Sequence, residues 1–205
     1  MEGTGIKKLI IIGASGHGKV VADIARLNGY QEIAFLDDDP AVKECAGFPV
    51  LGPSGMLDEL DGEVFVAIGN CDIRKRVMER SPHRLYPVLI HPGAIVASDV
   101  HIGYGSVVMA GAVINPGAEI GKGCIVNTAA SVDHDDVISD YCHIAVGAHL
   151  CGKVAIGDEC WIGAGAIVSN NISICCCCMI GAGAVVVKDV VESGVYIGVP
   201  VRKKK

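Results

Sequence analysis

Hydrophobic residues in the second half of the chain recur at every sixth position. From Ile90 to Val186, each sixth residue is Ile, Leu or Val, seventeen times in succession. The fourth residue after each is usually small or β-branched, as at Ala112 and Cys142, and glycine often follows the aliphatic residue directly, as at Gly103. A period of six does not match the 3.6-residue period of an α-helix. It is typical of a solenoid in which each hexapeptide forms one short strand and one turn.

Three hexapeptides close one coil of a triangular prism, so we expect an uninterrupted parallel β-helix from about residue 90 to 191. The aliphatic residues point inward, the small residues fit the corners, and the glycines allow unusual turn angles. Nearly six coils at about 4.8 Å each give a rise of about 27 Å. A prism this thin has a narrow core, and its broad faces favour packing on copies of itself. We therefore predict a homotrimer of cyclic symmetry, with a monomeric solenoid as the alternative.

The first part of the chain has a different pattern, which predicts a short Rossmann-like βαβ unit. Apolar runs alternate with one helical pattern and then a second, and Asn28-Gly29 ends the first helix. We therefore expect a domain over residues 1–85 and a β-helix domain with a C-terminal tail over 86–205. The predicted elements are a strand at Lys8–Ile12, a helix at Lys19–Leu27, strands at Glu32–Leu36 and Val64–Ile68, and a helix from Asp72 to about Arg80.

The turns after these strands carry the candidate chemistry of the N-terminal unit. Ligands of such units bind at the carboxyl ends of the strands, and a helix N-terminus can receive a phosphate. The glycine-rich turn at residues 13–18 has the spacing G-x-x-G-x-G, which differs from the dinucleotide pattern G-x-G-x-x-G. The acidic pair Asp37-Asp38 can hold a ribose hydroxyl or a base edge. A nucleotide-linked small molecule fits this unit better than NAD, and a purely structural glycine turn is the alternative.

Composition narrows the function classes. The net charge of −6 argues against a nucleic-acid-binding protein, because phosphate contacts need clustered Lys and Arg. The one basic run, residues 202–205, is expected to be solvated or to meet a phosphate. No apolar stretch reaches transmembrane length and no secretory signal is visible. Because four of the ten cysteines are consecutive and the pattern predicts buried positions for the others, we expect reduced thiols and a cytoplasmic location.

The order of short motifs along the chain resembles one family. GASGHG, FLDDD, AIGN, IHP, the hexapeptides, NTAASVDHDD, CHIAVGAHLCG and GVP stand in this order. Together they resemble the bacterial sugar O- and N-acyltransferases of the sialic acid O-acetyltransferase type. Within that family the chain is most similar to the UDP-4-amino-sugar N-acetyltransferases of bacillosamine biosynthesis. The resemblance implies a left-handed β-helix, a trimer, acetyl-CoA as donor without a metal, and an active site between subunits.

The resemblance also implies roles for individual residues. His134 matches the general base, and Asp135 matches the acidic residue that raises its basicity, where relatives have Glu. Asn127, a further catalytic residue, and His143, on the acetyl-CoA side, match positions near the transferred acetyl group. The remaining matches are Ser15, Gly16, His17, Asp37, Asp38 and Gly69 for the nucleotide sugar, and Ala164 and Ala182 for the CoA channel.

The residue types support this chemistry independently of the resemblance. An ammonium group on a sugar must lose a proton before it attacks a thioester, and a neutral histidine with a carboxylate partner suits that task near pH 7. Backbone N–H groups or His143 can stabilise the oxyanion, and no covalent intermediate is needed. His134 and His143 are nine residues apart, half a coil, so in one chain they are expected on different sides of the prism. A site that uses both must then draw on two subunits.

Several other functions fit parts of the sequence. O-acetylation of sialic acid or another sugar is one alternative, and a nucleotide-sugar-binding protein without catalysis is another. A zinc site like that of γ-class carbonic anhydrases lacks its H-x-x-x-x-H spacing, since Ser139 stands five residues after His134. The run Cys175–Cys178 is interpreted as structural, because consecutive cysteines do not wrap easily around a tetrahedral metal.

Overall fold

The computed structural model describes residues 6–204, and the chain divides into two compact units between Leu89 and Ile90. Residues 1–5 and Lys205, which belong to the predicted N-terminal domain and the basic run, lie outside the described residues. The division falls four residues beyond the boundary expected from the sequence.

The N-terminal unit is an α/β structure around a five-stranded sheet with strand order β3-β4-β2-β1-β5. The central strand β1 pairs in parallel with β2 and β5, so the three strands end at the same edge. The elements are strands β1 (Lys8–Ile12), β2 (Glu32–Leu36), β3 (Glu44–Cys45), β4 (Phe48–Gly52) and β5 (Glu63–Val66), helices α1 (Gly16–Leu27) and α2 (Cys71–Arg80), and a 3-10 helix (Ser54–Glu59).

Helix α1 begins at Gly16, three residues before the predicted start, with Ser15 as its N-cap. Glycines at residues 16 and 18 favoured a loop in the sequence, because glycine has a low helix propensity. Close packing explains the glycine at residue 18. A Cβ at Gly18 would lie 2.2 Å from the carbonyl oxygen of Gly13 and 3.1 Å from the Phe35 ring. Glycine is therefore required for the close packing of the helix against the sheet.

Two strands and the 3-10 helix of this unit were not predicted from the sequence. Strands β3 and β4 form an antiparallel hairpin through Ala46 and Gly47, both of which have positive φ. Asn-Gly is the common sequence signal for such a turn, and Ala-Gly is a weak one. Strand β5 ends at Val66, two residues earlier than predicted, although the Ala67 N–H still bonds to the carbonyl of Ile12.

The second unit is a parallel β-helix, which confirms the fold predicted from the six-residue period. Three sheets form its sides, and as far as β22 the strands within each sheet are parallel and step by three in chain order. Its strands are β6 (Leu89–Ile90), β7 (Ile95–Val96), β8 (His101–Ile102), β9 (Val107–Val108), β10 (Val113–Ile114), β11 (Glu119–Ile120), β12 (Ile125–Val126), β13 (Ser131–Val132), β14 (Val137–Ile138), β15 (His143–Ile144), β16 (His149–Leu150), β17 (Ala155–Ile156), β18 (Trp161–Ile162), β19 (Ile167–Val168), β20 (Ser173–Ile174), β21 (Cys178–Ile180), β22 (Val185–Val186), β23 (Gly194–Ile197) and β24 (Arg202–Lys203).

The coil has a constant length of eighteen residues as far as Val186. Val113, for example, pairs with Ser131, which pairs with His149 on the next coil. The aliphatic residues of the repeat fill the interior, and Ile144 and Ile162 are fully buried. Truncating such a residue to Ala typically costs about 2–5 kcal/mol of stability. The regular register means that a residue's neighbours on adjacent coils lie eighteen positions away in the sequence.

The turns of the β-helix share one backbone feature. In every turn from the one with Gly105 to the one with Gly183, the third residue has a positive φ, whether or not it is glycine. Seven of these fourteen positions hold glycine, and the other seven hold residues such as Asp135, at φ 59°, and Cys177. The glycines singled out in the sequence serve another purpose, so that interpretation was wrong. A Cβ at Gly103 would lie 2.4 Å from the backbone nitrogen of Lys122. These glycines allow close approach of neighbouring coils.

The last coil is two residues shorter than the others. Val190 bridges to Ile174, and Tyr196 in β23 pairs with Ile180, both at a spacing of sixteen. Strand β24 then folds back antiparallel on β23. In this way the C-terminal segment covers the end of the prism.

Candidate active site

His134 lies on the turn between β13 and β14, at the edge where the six-stranded and five-stranded sheets meet. Its Nδ1 is 2.9 Å from Oδ2 of Asp135, and both side chains are more than half exposed. The hydrogen bond with Asp135 is the main reason that the pKa of His134 is raised above 6.5. Since the carboxylate accepts a hydrogen bond from Nδ1–H, the proton of the neutral ring is on Nδ1. Nε2 then keeps its lone pair and can act as a base.

The backbone of the His134 turn is held from three directions. The Asp133 carboxylate accepts a hydrogen bond from the His134 N–H at 2.8 Å and one from the Asn115 side chain at 2.7 Å. The bond from Asn115 is the main cause that lowers the pKa of Asp133. On the next coil, the N–H of Lys153 donates to the His134 carbonyl at 3.0 Å. The candidate base is thus fixed to the coils on either side.

Two glycines make room for the pair His134–Asp135. Gly152, eighteen residues after His134, lies under its ring, and a Cβ there would be 2.4 Å from Nε2. Gly117, eighteen residues before Asp135, lies beside its carboxylate, and a Cβ there would be 2.6 Å from Oδ1. Side chains at these two positions would displace the pair, so the neighbouring coils determine where His134 sits.

His143 belongs to β15 in the eight-stranded sheet and is 5% exposed. Its ring packs against that of Trp161 on the next coil, with the centroids 4.2 Å apart and the two planes tilted by 46°. Its Nε2 is 3.0 Å from Nδ2 of Asn127 on the preceding coil. The Asn127 Oδ1 already accepts the Thr128 N–H at 2.8 Å, so Nδ2 is free to donate and Nε2 of His143 accepts. The ring is then neutral, with its proton on Nδ1.

The structure groups the predicted β-helix residues into two sets on different edges. Asn127 and His143 lie near the edge between the eight- and six-stranded sheets, and the exposed Ala164 and Ala182 follow along the same edge. The Gly183 N–H bonds to the Ala164 carbonyl there at 2.8 Å. His134 lies on the next edge of the prism. Within one chain the two sets are therefore apart, as the half-coil spacing predicted.

In the N-terminal unit, a cleft of about 300 Å³ lies at the carboxyl ends of β1, β2 and β5. Four of the six residues predicted for the nucleotide sugar line it: Ser15, Asp37, Asp38 and Gly69. Gly16 and His17 are in the first turn of α1 and do not line it. Burial, with a smaller contribution from Arg74, lowers the pKa of His17 to about 4, so its imidazole is neutral.

Hydrogen bonds hold the loops around this cleft. Asp37 accepts the Ala14 N–H at 2.7 Å, which ties the glycine turn to the end of β2. Asp38 accepts both the N–H and the hydroxyl of Ser54 from the 3-10 helix. Arg74, fully buried in α2, donates to the carbonyls of Ile68 and Gly69 at 2.7 and 2.9 Å. The bonds from Ala14 and Ser54 orient the acidic pair, and those from Arg74 hold the loop that follows β5.

Several residues that shape the candidate site were missed in the sequence. Ser54 acts through a tertiary contact with Asp38, and Arg74 bonds to the loop just before its own helix; no sequence motif marks either contact. Others stand eighteen positions from predicted residues and follow from the coil length: Asn115 from Asp133, Gly152 from His134 and Trp161 from His143. A search at that spacing would have found them.

No group of three His, Cys, Asp or Glu side chains within residues 6–204 is arranged to hold a metal ion. The sulfur atoms of Cys175 and Cys178 are 3.6 Å apart, while Cys176 and Cys177 are exposed on the turn. Over the same part of the chain, no helix is long and apolar enough to span a membrane.

Comparisons with known proteins match both units. Residues 8–81 match the family model described as the PglD N-terminal domain. Over 111 residues the chain is 36% identical to UDP-N-acetylbacillosamine N-acetyltransferase of Bacillus subtilis (strain 168). That match covers 50% of this chain and 51% of the relative, so it spans about half the length of that curated protein.

Solved structures are similar over nearly the whole chain. The acetyltransferase domain of PglB from Neisseria gonorrhoeae, in complex with acetyl coenzyme A, is 43% identical with a TM-score of 0.93. The match covers 98% of this chain and 100% of that one. PerB from Caulobacter crescentus, in complex with CoA and GDP-perosamine, is 36% identical with a TM-score of 0.91, covering 98% and 99%.

The fold is therefore that of the left-handed β-helix acyltransferases with a short α/β unit at the N-terminus. The chain belongs to the hexapeptide-repeat family of bacterial sugar acyltransferases, which confirms the resemblance found in its motifs.

Proposed function

We propose that this chain is an acetyl-CoA-dependent N-acetyltransferase whose acceptor is a nucleotide-linked amino sugar. A UDP-4-amino-4,6-dideoxy sugar is the acceptor we favour. The observation that carries the proposal is the hydrogen bond between His134 Nδ1 and Asp135, on an exposed turn of the β-helix. The similarity to structures with acetyl-CoA or with CoA and GDP-perosamine supports both substrates. The match to the bacillosamine enzyme favours UDP and a 4-amino sugar.

The reaction needs one proton transfer at His134. The acceptor amine enters as an ammonium, and Nε2 takes a proton from it, while Asp135 stabilises the imidazolium that forms. The amine then attacks the thioester carbonyl directly, the C–N bond forms and the C–S bond breaks. The nitrogen loses its second proton to the leaving thiolate of CoA, which gives the free thiol, and the proton on His134 is released to solvent.

The acceptor's nucleotide is proposed to occupy the cleft at the ends of β1, β2 and β5. The glycine turn at the start of α1 offers backbone N–H groups and a helix N-terminus to the phosphates. Asp37 and Asp38 offer carboxylate oxygens to the ribose or the base. The neutral His17 adjoins the same turn and can donate a hydrogen bond.

The acetyl-CoA is proposed to lie along the edge formed by Asn127, His143, Ala164 and Ala182. Because His134 lies on another edge of the same chain, we propose a homotrimer in which each site combines His134 of one subunit with His143 of its neighbour. Sedimentation should show three chains of 21.2 kDa each. Mixed trimers of His134→Ala and His143→Ala subunits should regain activity, and no regain in verified mixed trimers would contradict a shared site.

The proposed function is tested with a panel of acceptors. Purified protein is incubated with acetyl-CoA and with UDP- and GDP-linked 4-amino sugars or free sialic acid, and thiol release and product mass are measured. We expect turnover with the UDP-4-amino sugar and an amide product. Activity on free sialic acid alone would establish O-acetylation instead. Tight binding of a nucleotide sugar without turnover would identify a non-catalytic binding protein.

The same proposal locates the protein in the cytoplasm, since acetyl-CoA and nucleotide sugars are cytoplasmic metabolites. Fractionation of the native cells checks this, and a periplasmic or extracellular protein would contradict it.

A further inference from the structure

One corner of the β-helix interior holds a carboxylate. The corner position comes four residues after each inward aliphatic residue, and Asp136 is fully buried there at 0% exposure. The other corners from residue 94 to 184 are uncharged: Ala94, Val100, Ser106, Ala112, Ala118, Cys124, Ala130, Cys142, Ala148, Val154, Cys160, Ala166, Ile172, Cys178 and Ala184. A charge in this interior is costly unless hydrogen bonds satisfy it, so its position next to the His134 turn calls for an explanation.

The Asp136 carboxylate makes two hydrogen bonds with the backbone. Its Oδ1 accepts the N–H of Val154 on the next coil at 2.7 Å, and its Oδ2 accepts the N–H of Asp133 at 2.9 Å. The second bond spans the turn that contains His134. It connects the first residue of the turn with the last.

This bond differs from the pattern in the rest of the six-stranded sheet. The residue that follows each of the other strands as far as β19 donates its N–H to a strand carbonyl of the next coil. Asn115 donates in this way to Val132, and Cys151 to Val168, both at 3.0 Å. At the equivalent position, Asp133 donates to the Asp136 side chain instead of taking part in the ladder. The backbone that carries His134 is thus shaped by a side chain.

We propose that Asp136 is a positioning residue for His134, whose buried carboxylate holds the turn in the shape that directs the imidazole. The inference rests on the proposed function of His134 as general base. The ring has no freedom to move toward the next coil, because Gly152 already lies against it. A change in the turn would therefore shift Nε2 away from the acceptor.

The ionisation of Asp136 supports the same role. Burial is the main cause that raises its pKa to about 6, while the bonds from Val154 and Asp133 oppose that shift. Two charged groups face the carboxylate: Asp133, which raises its pKa, and His134, which lowers it. The corners on the neighbouring coils, Ala118 and Val154, are uncharged. At pH 7 the carboxylate is ionised and accepts both bonds, and below about pH 6 it becomes protonated.

The test compares Asp136→Asn and Asp136→Ala with the control Ser106→Ala in the full-length protein. Ser106 occupies another interior corner, where its hydroxyl accepts the N–H of Cys124 on the next coil at 2.8 Å. The control therefore removes the same kind of bond away from His134. Ala occupies many corners of this prism, so Asp136→Ala is expected to fold. Thermal unfolding and sedimentation check this for all three variants.

Both Asp136 variants should lose about 10- to 100-fold in kcat, because a small misplacement of a reacting group has an effect of this size. The KM of the acceptor and all parameters of Ser106→Ala should stay unchanged. In the wild type, log kcat/KM should fall with a slope approaching two below about pH 6, since both His134 and Asp136 bind protons. In Asp136→Asn the slope should remain one. Wild-type kcat and slope in folded Asp136 variants would overturn the inference.

A readout that does not require activity separates this inference from the proposed function. The ¹⁵N shifts of the His134 ring should report Nδ1–H in the wild type and in Ser106→Ala, and an averaged state in both Asp136 variants. Unchanged shifts would overturn the positioning role. Absence of acetyl transfer by the wild type would overturn the proposed function instead, whatever the shifts show.

Discussion

Residues of the candidate site in the β-helix come from neighbouring coils at a spacing of eighteen, while those in the α/β unit come from loops after three strands. In the first case a ladder of short strands fixes each neighbour, as Gly152 is fixed under His134. In the second case side-chain hydrogen bonds hold the loops, as Ser54 holds Asp38. The comparison leads us to expect separate roles for the two regions. The β-helix should carry out the proton transfer, and the loops of the α/β unit should recognise the acceptor.

If the work is divided in this way, the two regions should respond differently to substitution. Changes around His134 should lower kcat and leave acceptor binding intact. Changes in the cleft should raise the KM of the acceptor without affecting acetyl-CoA. A variant in one region with the kinetic effect expected of the other would contradict the division.

The largest effect is expected for His134→Ala. Loss of a general base typically costs about 10²- to 10⁴-fold in rate, so kcat should fall by that amount. Titration calorimetry should show acceptor binding close to that of the wild type. His101→Ala, an exposed histidine of the same β-helix, should be fully active. Loss of acceptor binding in His134→Ala would show that the β-helix also recognises the acceptor.

The cleft is tested by Asp37→Ala. A hydrogen bond to a charged group contributes about 1.5–3 kcal/mol, so the acceptor KM should rise roughly 10- to 100-fold. The KM of acetyl-CoA should not change. Asp39→Ala is the matched control, because Asp39 is an exposed carboxylate of the same loop and does not line the cleft. Equal effects of the two variants would mean that the acidic loop acts only through its overall charge.

Sequence reasoning predicted the two regions unequally well, for a physical reason. The period of six fixed every strand of the β-helix as far as Val186, because each coil repeats the same contacts. It also gave the correct half-coil separation of His134 and His143. In the α/β unit, the hairpin at Ala46-Gly47 forms through a turn with a weak sequence signal, Arg74 bonds to the loop just before its own helix, and the start of α1 depends on packing against Phe35. Such contacts leave no period in the sequence.

The repeat also obscured two features. The glycines after the aliphatic residues were interpreted as turn residues, although they allow the close approach of coils. The residue with positive φ lies two positions after these glycines. It is Gly in only half of the turns, so the residue types alone do not reveal the left-handed position. Asp136 was not recognised either, since one carboxylate in a column of small residues shows only as a gap in the pattern.

A smaller effect is expected for Gly152→Ala, which tests the packing of neighbouring coils. Its added methyl group would meet the His134 ring, and no positive φ is required at this position. We expect kcat to fall about tenfold, as for a modest displacement of a reacting group, with little loss of stability.

Gly111→Ala should behave in the opposite way. It has φ 69° and space for a Cβ, so it should lose about 1–2 kcal/mol of stability and keep its kcat. Thermal unfolding and initial rates distinguish the two.

The smallest effect on the rate is expected for Asp135→Asn, which should shift the pH profile in a defined direction. Asn tolerates the left-handed backbone at this position, so the turn should keep its shape. The hydrogen bond with Asp135 raises the pKa of His134, and the base acts only when neutral. In the wild type, kcat/KM should therefore rise with pH through a value above 6.5. Without the carboxylate charge that pKa falls, and the acidic limb should move to lower pH while the plateau drops by about tenfold or less. Asp140→Asn, on the next turn, should leave the profile unchanged. A limb that stays in place or moves to higher pH in Asp135→Asn would show that the carboxylate does not set the basicity of His134.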